Sequence, residues 1–224
     1  MTTHAAVAAS IDLAAAIPAL ADLAGRIGDR QVRNRGTIGG SLANNDPAAC
    51  YPAAVLGLGA TVHTNSRDIS ADDFFTGMFS TALNEGEVIT AVSFPVPEKA
   101  GWQKFKQPAS RFSLVGVFVA RSAAGVRVAV TGAGPCVYRC REIEQALAEL
   151  LAVDMDSRRT AVAKDVRSRS PRYRCIPAHD LADALGGFFD SLQIEEIEVG
   201  DRLAGLVDAA LPAPGLGPVW LGLG

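Results

Sequence analysis

Residues 31–52 read QVRNRGTIGGSLANNDPAACYP, and this stretch decides how the rest of the chain is interpreted. Gly36, Gly39 and Gly40 allow backbone angles that a β-carbon forbids, and they let another group approach the main chain closely. Hydrogen-bonding side chains surround these glycines: Thr37, Ser41, Asn44, Asn45 and Asp46. Successive main-chain N–H groups in such a turn form a concavity that suits phosphate oxygens. A tight turn between two elements is the alternative, but the polar run continues to Asp46 before apolar residues resume, which favours a phosphate-bearing ligand.

The composition is that of a globular chain with a sizeable core. The chain has 224 residues, enough for one large or two small domains, and 49% of them are hydrophobic. The formal net charge of −3 gives no general attraction to nucleic acid or acidic membranes. The apolar runs are too short for a transmembrane helix, and the first residues lack the pattern of a signal peptide. We therefore expect a cytoplasmic protein that neither binds nucleic acid nor inserts into a membrane.

The sequence contains none of the usual catalytic sets. It has no nucleophile elbow, no His-Glu-x-x-His motif and no Walker loop. The four cysteines are Cys50, Cys136, Cys140 and Cys175, and only the middle two are close in sequence. We expect free thiols and no zinc or iron–sulfur site. The absence of a catalytic set is typical of a protein whose reactive group is a bound cofactor.

Hydrophobic periodicity predicts the elements of the first half of the chain. Helices are predicted at residues 10–27, with a break at Pro18, and at 48–58. Extended segments are predicted at 32–36, 60–65 and 86–94, a strand followed by a short helix at 68–75, and a loop at 76–80. Pro95 and Pro97 end the last of these strands, so we place a domain boundary there and assign residues 1–97 to the first domain.

The second unit is assigned to residues 98–155. A strand at 112–121, a turn at Ala124 and Gly125 and a returning strand at 126–131 predict a hairpin. An amphipathic helix at 141–151 follows, and strands followed by a helix predict an α+β domain. Residues 156–224 form a divergent tail, in which the basic run 158–174 is interpreted as a solvated segment rather than a nucleic-acid contact.

The run VRNRGTIGGSLANNDPAA at residues 32–49 resembles the second FAD-binding loop in the flavoprotein, or medium, subunit of the molybdenum hydroxylases. This family includes aerobic-type carbon monoxide dehydrogenases and xanthine dehydrogenases. The resemblance covers about residues 1–150. It implies an α+β fold in which residues 1–97 are the second subdomain of a two-subdomain FAD-binding fold, a mixed sheet with helices, followed by a small antiparallel-sheet-plus-helix domain. In the family a first subdomain with its own glycine-rich phosphate loop comes earlier, and we expect this chain to lack it.

The resemblance also implies a set of cofactor-binding residues: Thr37, Ile38, Gly39, Gly40, Ser41, Asn44, Asp46, Cys50 and Lys106. Asp46 is either a ribose partner or a cap that organises the turn. Family members commonly carry an aspartate at the position of Cys50, and a thiol is a much weaker hydrogen-bonding group. Lys106 matches a basic residue that the family places near the flavin ring, with Ser110 and Arg111 in the same region. The alternative for Lys106 is a surface lysine at the edge of a strand.

Two functional hypotheses follow from the resemblance. In the first, the chain is a redox subunit whose FAD takes electrons from an iron–sulfur small subunit and passes them to an external acceptor. The substrate would be oxidised at a molybdenum cofactor on a separate large subunit, so no catalytic residue is assigned to this chain. In the second, the chain is a non-catalytic remnant or subunit-contact module without tightly bound flavin. The expected lack of the first loop and the thiol of Cys50 support the second hypothesis, which we keep as the alternative to the first.

Overall fold

The computed structural model describes residues 1–152, with side chains through residue 148. The tail predicted at 156–224 lies outside the described residues. Helices and antiparallel sheets make up the described part, so the predicted α+β class is confirmed. Among these residues, no helix is both long enough and apolar enough to cross a bilayer.

Six short helices open the chain: α1 (His4–Ala9), α2 (Ile11–Ala16), α3 (Pro18–Gly25), α4 (Arg30–Arg35), α5 (Ile38–Asn44) and α6 (Tyr51–Leu58). In α1, α2, α4 and α5 the residue before the helix accepts a hydrogen bond from the N–H three residues later, at 2.9–3.2 Å. These capping residues are Thr3, Ser10, Asp29 and Thr37. A cap of this type contributes about 1 kcal/mol, which helps to explain why such short helices form. The break predicted at Pro18 is confirmed.

Two local predictions are wrong. Residues 32–36 are not extended, because Asp29 caps a helix that starts at Arg30 and ends at Arg35. The predicted loop at 76–80 is a small hairpin of β3 (Phe75–Gly77) and β4 (Ser80–Thr81). Its strands are held by tertiary contacts, since the Asn45 side-chain amide donates to the Gly77 and Ser80 carbonyls at 2.8 and 2.7 Å.

The other strands form two antiparallel sheets. The first has the order β2-β1-β5, from β1 (Thr61–Thr64), β2 (Asp68–Ser70) and β5 (Ile89–Ser93), and α7 (Ala71–Phe74) follows β2. The second runs in sequence order through β6 (Lys99–Lys106), β7 (Ser113–Ser122), β8 (Gly125–Thr131) and β9 (Tyr138–Arg139). Helix α8 (Arg141–Ala152) comes last and contacts β8. The predicted hairpin of the second unit is therefore confirmed as β7 and β8.

Helix α6 lies at the centre of the described fold. All eight of its residues are buried, as expected for a helix that is apolar on every side. Gly57 permits its close contact with β7, because a β-carbon there would lie 3.0 Å from the Phe118 ring. One hydrophobic cluster continues from α3 through α6 to β7 and β8. Residues on both sides of the predicted boundary at 97 therefore share a core.

Candidate functional site

The first turn of α5 forms one wall of a cavity of about 730 Å³, which we call the glycine groove. Four predicted site residues line it: Thr37, Ile38, Gly39 and Gly40. The other walls come from the N-terminal residues and from apolar side chains in and around β5. The N-terminus is held here because the Ile38 N–H donates to the Thr2 carbonyl at 3.1 Å, next to an isolated β-bridge between Thr3 and Thr37.

Gly39 is not required by the backbone or by packing. It lies in a helix and does not have positive φ, and a β-carbon added to it would meet no atom within 4 Å. Glycine in a helix costs about 0.5–1 kcal/mol relative to alanine. At Gly40 an added β-carbon would lie 3.0 Å from the Thr37 hydroxyl oxygen, so the cap itself restricts that position. The open space at Gly39 is therefore available to a group from outside the chain.

The helix leaves fewer main-chain donors than a turn would. The N–H groups of Gly40 and Ser41 donate to the Thr37 hydroxyl and carbonyl oxygens at 3.1 and 3.0 Å. The Ile38 N–H is also occupied. Within residues 1–152, the Gly39 N–H has no acceptor. The expected row of free N–H groups is therefore wrong, and one free donor at Gly39 replaces it.

The other cofactor-binding residues predicted between positions 37 and 50 line a second cavity of about 250 Å³, which we call the thiol cavity. They are Ser41, Asn44, Asp46 and Cys50. Helix α5 thus lies between the groove and the cavity. The Asp46 carboxylate accepts from the Ala48 N–H at 2.8 Å, which supports its predicted role in organising the turn. The Thr131 hydroxyl at the end of β8 lies 2.9 and 2.8 Å from the Pro47 and Ala49 carbonyls and fixes this turn from the other side.

A lysine that the sequence interpretation missed lies beside Cys50. Lys104 is only 8% exposed, and its ammonium donates to the Cys50 sulfur at 3.3 Å and to the Arg26 carbonyl at 3.2 Å. The Cys50 sulfur, 5% exposed, also lies 3.4 Å from the Ser113 hydroxyl. The signal for Lys104 was its two-residue spacing from Trp102, because both side chains share the buried face of β6.

Lys106 is exposed and lines a third cavity of about 270 Å³. The pairing of β6 with β7 passes from Phe105–Val115 to Lys106–Ser113, so Leu114 is skipped and the strand alternation is broken there. Lys106 is therefore on the surface, and it does not line the thiol cavity. Its place near the flavin ring stays a prediction.

The third cavity, which we call the basic cavity, is lined by two glycines and five cationic residues: Gly25, Gly28, Arg26, Arg33, Lys104, Lys106 and Arg111. It shares Gly28, Lys104 and Arg111 with the thiol cavity. Arg33 is fixed by donation to the Ile27 and Gly28 carbonyls at 3.0 and 3.1 Å. Arg111 has a φ of 61°, an uncommon conformation for a residue with a β-carbon, at the turn between β6 and β7.

His4 is a further buried residue in the wall of the thiol cavity. Its ring packs against Tyr51 with the centroids 5.2 Å apart. Burial lowers the pKa of His4 and raises that of Tyr51. Among the described residues, neither the His4 Nδ1 atom nor the Tyr51 hydroxyl has a hydrogen-bond partner. Of the two residues, His4 lines the thiol cavity and Tyr51 lines none of the three cavities.

Comparison with known proteins identifies the class of this fold. Residues 1–97 match the family described as FAD binding domain in molybdopterin dehydrogenase. The matched residues include those that line the groove and the part of the thiol cavity before residue 97. This match lies within the first half of the chain, and the resemblance to medium subunits of molybdenum hydroxylases is confirmed by the relatives that follow.

Three curated relatives carry matching names. The nicotine 6-hydroxylase medium subunit of Paenarthrobacter nicotinovorans is 37% identical over 157 residues, which are 66% of this chain and 56% of that protein. The glyceraldehyde dehydrogenase medium chain of Sulfolobus acidocaldarius is 36% identical over 130 residues, 53% of this chain and 46% of that protein. The carbon monoxide dehydrogenase medium chain of Afipia carboxidovorans is 35% identical over 144 residues, 61% of this chain and 47% of that protein. The chain therefore spans about half the length of these relatives.

Solved structures show the same fold. A chain of carbon monoxide dehydrogenase from Hydrogenophaga pseudoflava is 25% identical with a TM-score of 0.62, and a chain of quinoline 2-oxidoreductase from Pseudomonas putida 86 is 22% identical with a TM-score of 0.63. Each match covers 94% of this chain and 71% of the other.

The residues of this chain fit a dinucleotide at several points. The open space and free N–H at Gly39 suit a phosphate, and the Lys104 ammonium suits ligand acceptors. The exception is Cys50, whose thiol offers a ribose only weak hydrogen bonds.

Proposed function

We propose that the chain binds FAD along both sides of α5, with the diphosphate at the glycine groove. The observation that carries the proposal is Gly39, a helical glycine with an unoccupied N–H and open space above it that the chain does not need for itself. The match of residues 1–97 to a FAD-binding family supplies the identity of the ligand. Thr37 acts indirectly, since its hydroxyl caps the helix and holds this turn in place.

The thiol cavity is proposed for the ribose and the part of the cofactor next to it. Ser41 and Asn44 contribute hydrogen-bonding groups from the second turn of α5, and the turn at Asp46 positions Cys50. Lys104, rather than Lys106, is the lysine at this cavity, because its ammonium reaches the Cys50 sulfur in the wall. Arg111 is a second cation that lines it. The basic cavity with Lys106 and Arg111 adjoins it.

The proposed role is electron transfer within a molybdenum-containing hydroxylase. FAD would supply two-electron redox chemistry, while the residues of this chain bind it, orient it and keep water away. The proposal includes an iron–sulfur subunit as electron donor and a molybdenum-cofactor subunit as the site of substrate oxidation. It also includes an external electron acceptor and a cytoplasmic location. Its support is the resemblance and the words "medium subunit" and "medium chain" in the names of the relatives.

A subunit-contact module without tightly bound flavin is the second candidate. The observation in its favour is that the first turn of α5 has already used the N–H groups of Ile38, Gly40 and Ser41, which leaves few donors for a diphosphate. Cys50 also lacks the charge that would strengthen a hydrogen bond to ribose.

Equilibrium binding to three ligands separates the candidates. The full chain is titrated with FAD, with ADP as a probe of the diphosphate end, and with FMN, which lacks the diphosphate and adenosine. If the groove holds the diphosphate, FAD binds saturably and ADP competes with it, while FMN binds more weakly. An absence of saturable FAD binding to a chain with a cooperative melting transition would exclude the FAD proposal for this chain and leave the contact module.

A further inference from the structure

Lys104 is a buried cation without a negatively charged partner. Its side chain is among the few buried charged groups of the described fold. The two atoms that accept from its ammonium, the Arg26 carbonyl oxygen and the Cys50 sulfur, belong to neutral groups. Among the residues described here, no carboxylate lies within ion-pair distance of it. Burying an unpaired charge is costly, so this position favours any change that places an anion beside Lys104.

The group best placed to become that anion is the Cys50 sulfur. It lies 3.3 Å from the Lys104 ammonium and 3.4 Å from the Ser113 hydroxyl. Its cavity is large enough to admit a small molecule such as hydrogen peroxide. The wall of the same cavity contains the buried His4, whose Nδ1 atom has no hydrogen-bond partner among the described residues.

We propose that Cys50 is a site of oxidation by hydrogen peroxide, and that its sulfinate product forms an ion pair with Lys104. In the first step the sulfur attacks one peroxide oxygen, an S–O bond forms and the O–O bond breaks. The thiol proton leaves with the second oxygen as water, and the product is a sulfenic acid. A second peroxide repeats the step and gives a sulfinic acid and water. Each peroxide takes two electrons from sulfur, and the sulfinic acid releases its proton.

The product suits the site because a sulfinate resembles a carboxylate. Both place two oxygens and one negative charge on the atom that follows the β-carbon. One oxygen can accept from Lys104 and the other from the Ser113 hydroxyl, so the buried ammonium gains the missing anion. The proposal concerns only groups of this chain, and its test uses the chain without FAD because the proposed ribose site is the same cavity.

The other described cysteines have no cation in hydrogen-bond contact with their sulfur. Burial raises the pKa of the Cys140 thiol to about 11, and the Glu142 carboxylate adds to this effect. An anion on that sulfur would therefore face a like charge. Cys136 lies 3.5 Å from the neutral side-chain amide of Asn45. Cys136 serves as the internal reference, because trypsin leaves Cys140 in a dipeptide with Arg141.

The test is peroxide treatment of the full chain, followed by trypsin digestion and mass spectrometry. Cleavage after Arg35 and Arg67 releases residues 36–67, which contain Cys50 and neither methionine nor tryptophan. We expect this peptide to gain about 32 Da, two oxygen atoms, and to keep them in dithiothreitol. A cation beside the sulfur should make Cys50 react about tenfold faster than Cys136 in residues 128–139. Equal rates for the two cysteines would overturn the proposal.

Two variants test the part played by the ammonium. Lys104→Met should bring the oxidation rate of Cys50 down to that of Cys136, while Lys104→Arg should keep most of the difference. A rate unchanged by Lys104→Met would contradict the proposal. If Lys104→Met does not fold, the melting temperature of the wild-type chain decides instead: formation of the ion pair raises it, and a lower melting temperature of the sulfinate form would refute the pairing.

Discussion

Replacing Gly39 by alanine should separate folding stability from cofactor binding. The added methyl group enters a space with no atom within 4 Å, so the folded chain accepts it without strain. Alanine in a helix is more stable than glycine by about 0.5–1 kcal/mol, and this helix has seven residues with two glycines in its first turn. We therefore expect Gly39→Ala to unfold at a higher urea concentration than the wild-type chain.

The same methyl group should weaken FAD binding. In the proposed site the diphosphate lies against the Gly39 main chain, so the methyl group occupies ligand space. Overpacking by one methyl group costs about 1–3 kcal/mol. Because 1.4 kcal/mol is about tenfold in affinity, the FAD dissociation constant should rise about five- to 140-fold. Quenching of flavin fluorescence during a titration measures it.

Gly77→Ala is the matched control for this experiment. Gly77 also lacks positive φ, and its added β-carbon would meet only the Ser80 β-carbon, at 3.9 Å, outside the groove. We expect this variant to bind FAD as the wild-type chain does. The groove assignment is refuted if Gly39→Ala gains stability and still binds FAD with unchanged affinity.

Three further predictions concern charged and titrating groups. Cys50→Asp places a carboxylate beside Lys104, where one charge-assisted hydrogen bond to FAD should add about 1.5–3 kcal/mol to the free energy of binding. The neutral Cys50→Asn should not have this effect, and equal FAD affinities of the two variants would contradict the prediction. Hydrogen bonds from Arg67 hold the pKa of Glu87 well below its ordinary 4.5, so its contribution to stability is present above pH 4.5 and is lost as the pH falls through the lowered pKa. In urea unfolding at a series of pH values, Glu87→Gln should be less stable than wild type at neutral pH and should approach it in acid; a constant difference would count against the pairing. Burial lowers the pKa of His4 from 6.5, so the free energy of unfolding should fall as the pH drops from 6.5 through the lowered pKa. An NMR titration of the ring with a midpoint at or above 6.5 would contradict this.

Local chemistry in the sequence was sufficient for much of the fold. Alternating and β-branched runs located β1, β5, β7 and β8, and the proline at position 18 located the break between α2 and α3. These features depend on residues close together in the chain, whose propensities a linear pattern records. The helix α4 was missed although Asp29 supplies its cap, because the glycine-rich run that follows suggested extended backbone.

The candidate site was only partly visible in the sequence. The run from Thr37 to Asp46 identified the family and the residues near the cofactor, since a ligand-binding run is itself local. In the structure this run forms a helix with one side on the groove and the other on the thiol cavity. This arrangement depends on the N-terminus and β8, which hold the two ends of the run. Chain neighbours alone do not contain this information.

The sequence by itself determined that residues 1–97 match a FAD-binding family and that glycine and hydroxyl groups meet in one short run. Only the tertiary structure decided which lysine reaches the cavity, because the choice between Lys104 and Lys106 depends on a register irregularity between β6 and β7. The same structure places the Lys104 ammonium beside the Cys50 sulfur, across 54 positions of sequence. Strand register and helix packing bring these atoms together, and both are set by burial of side chains that lie far apart in the chain.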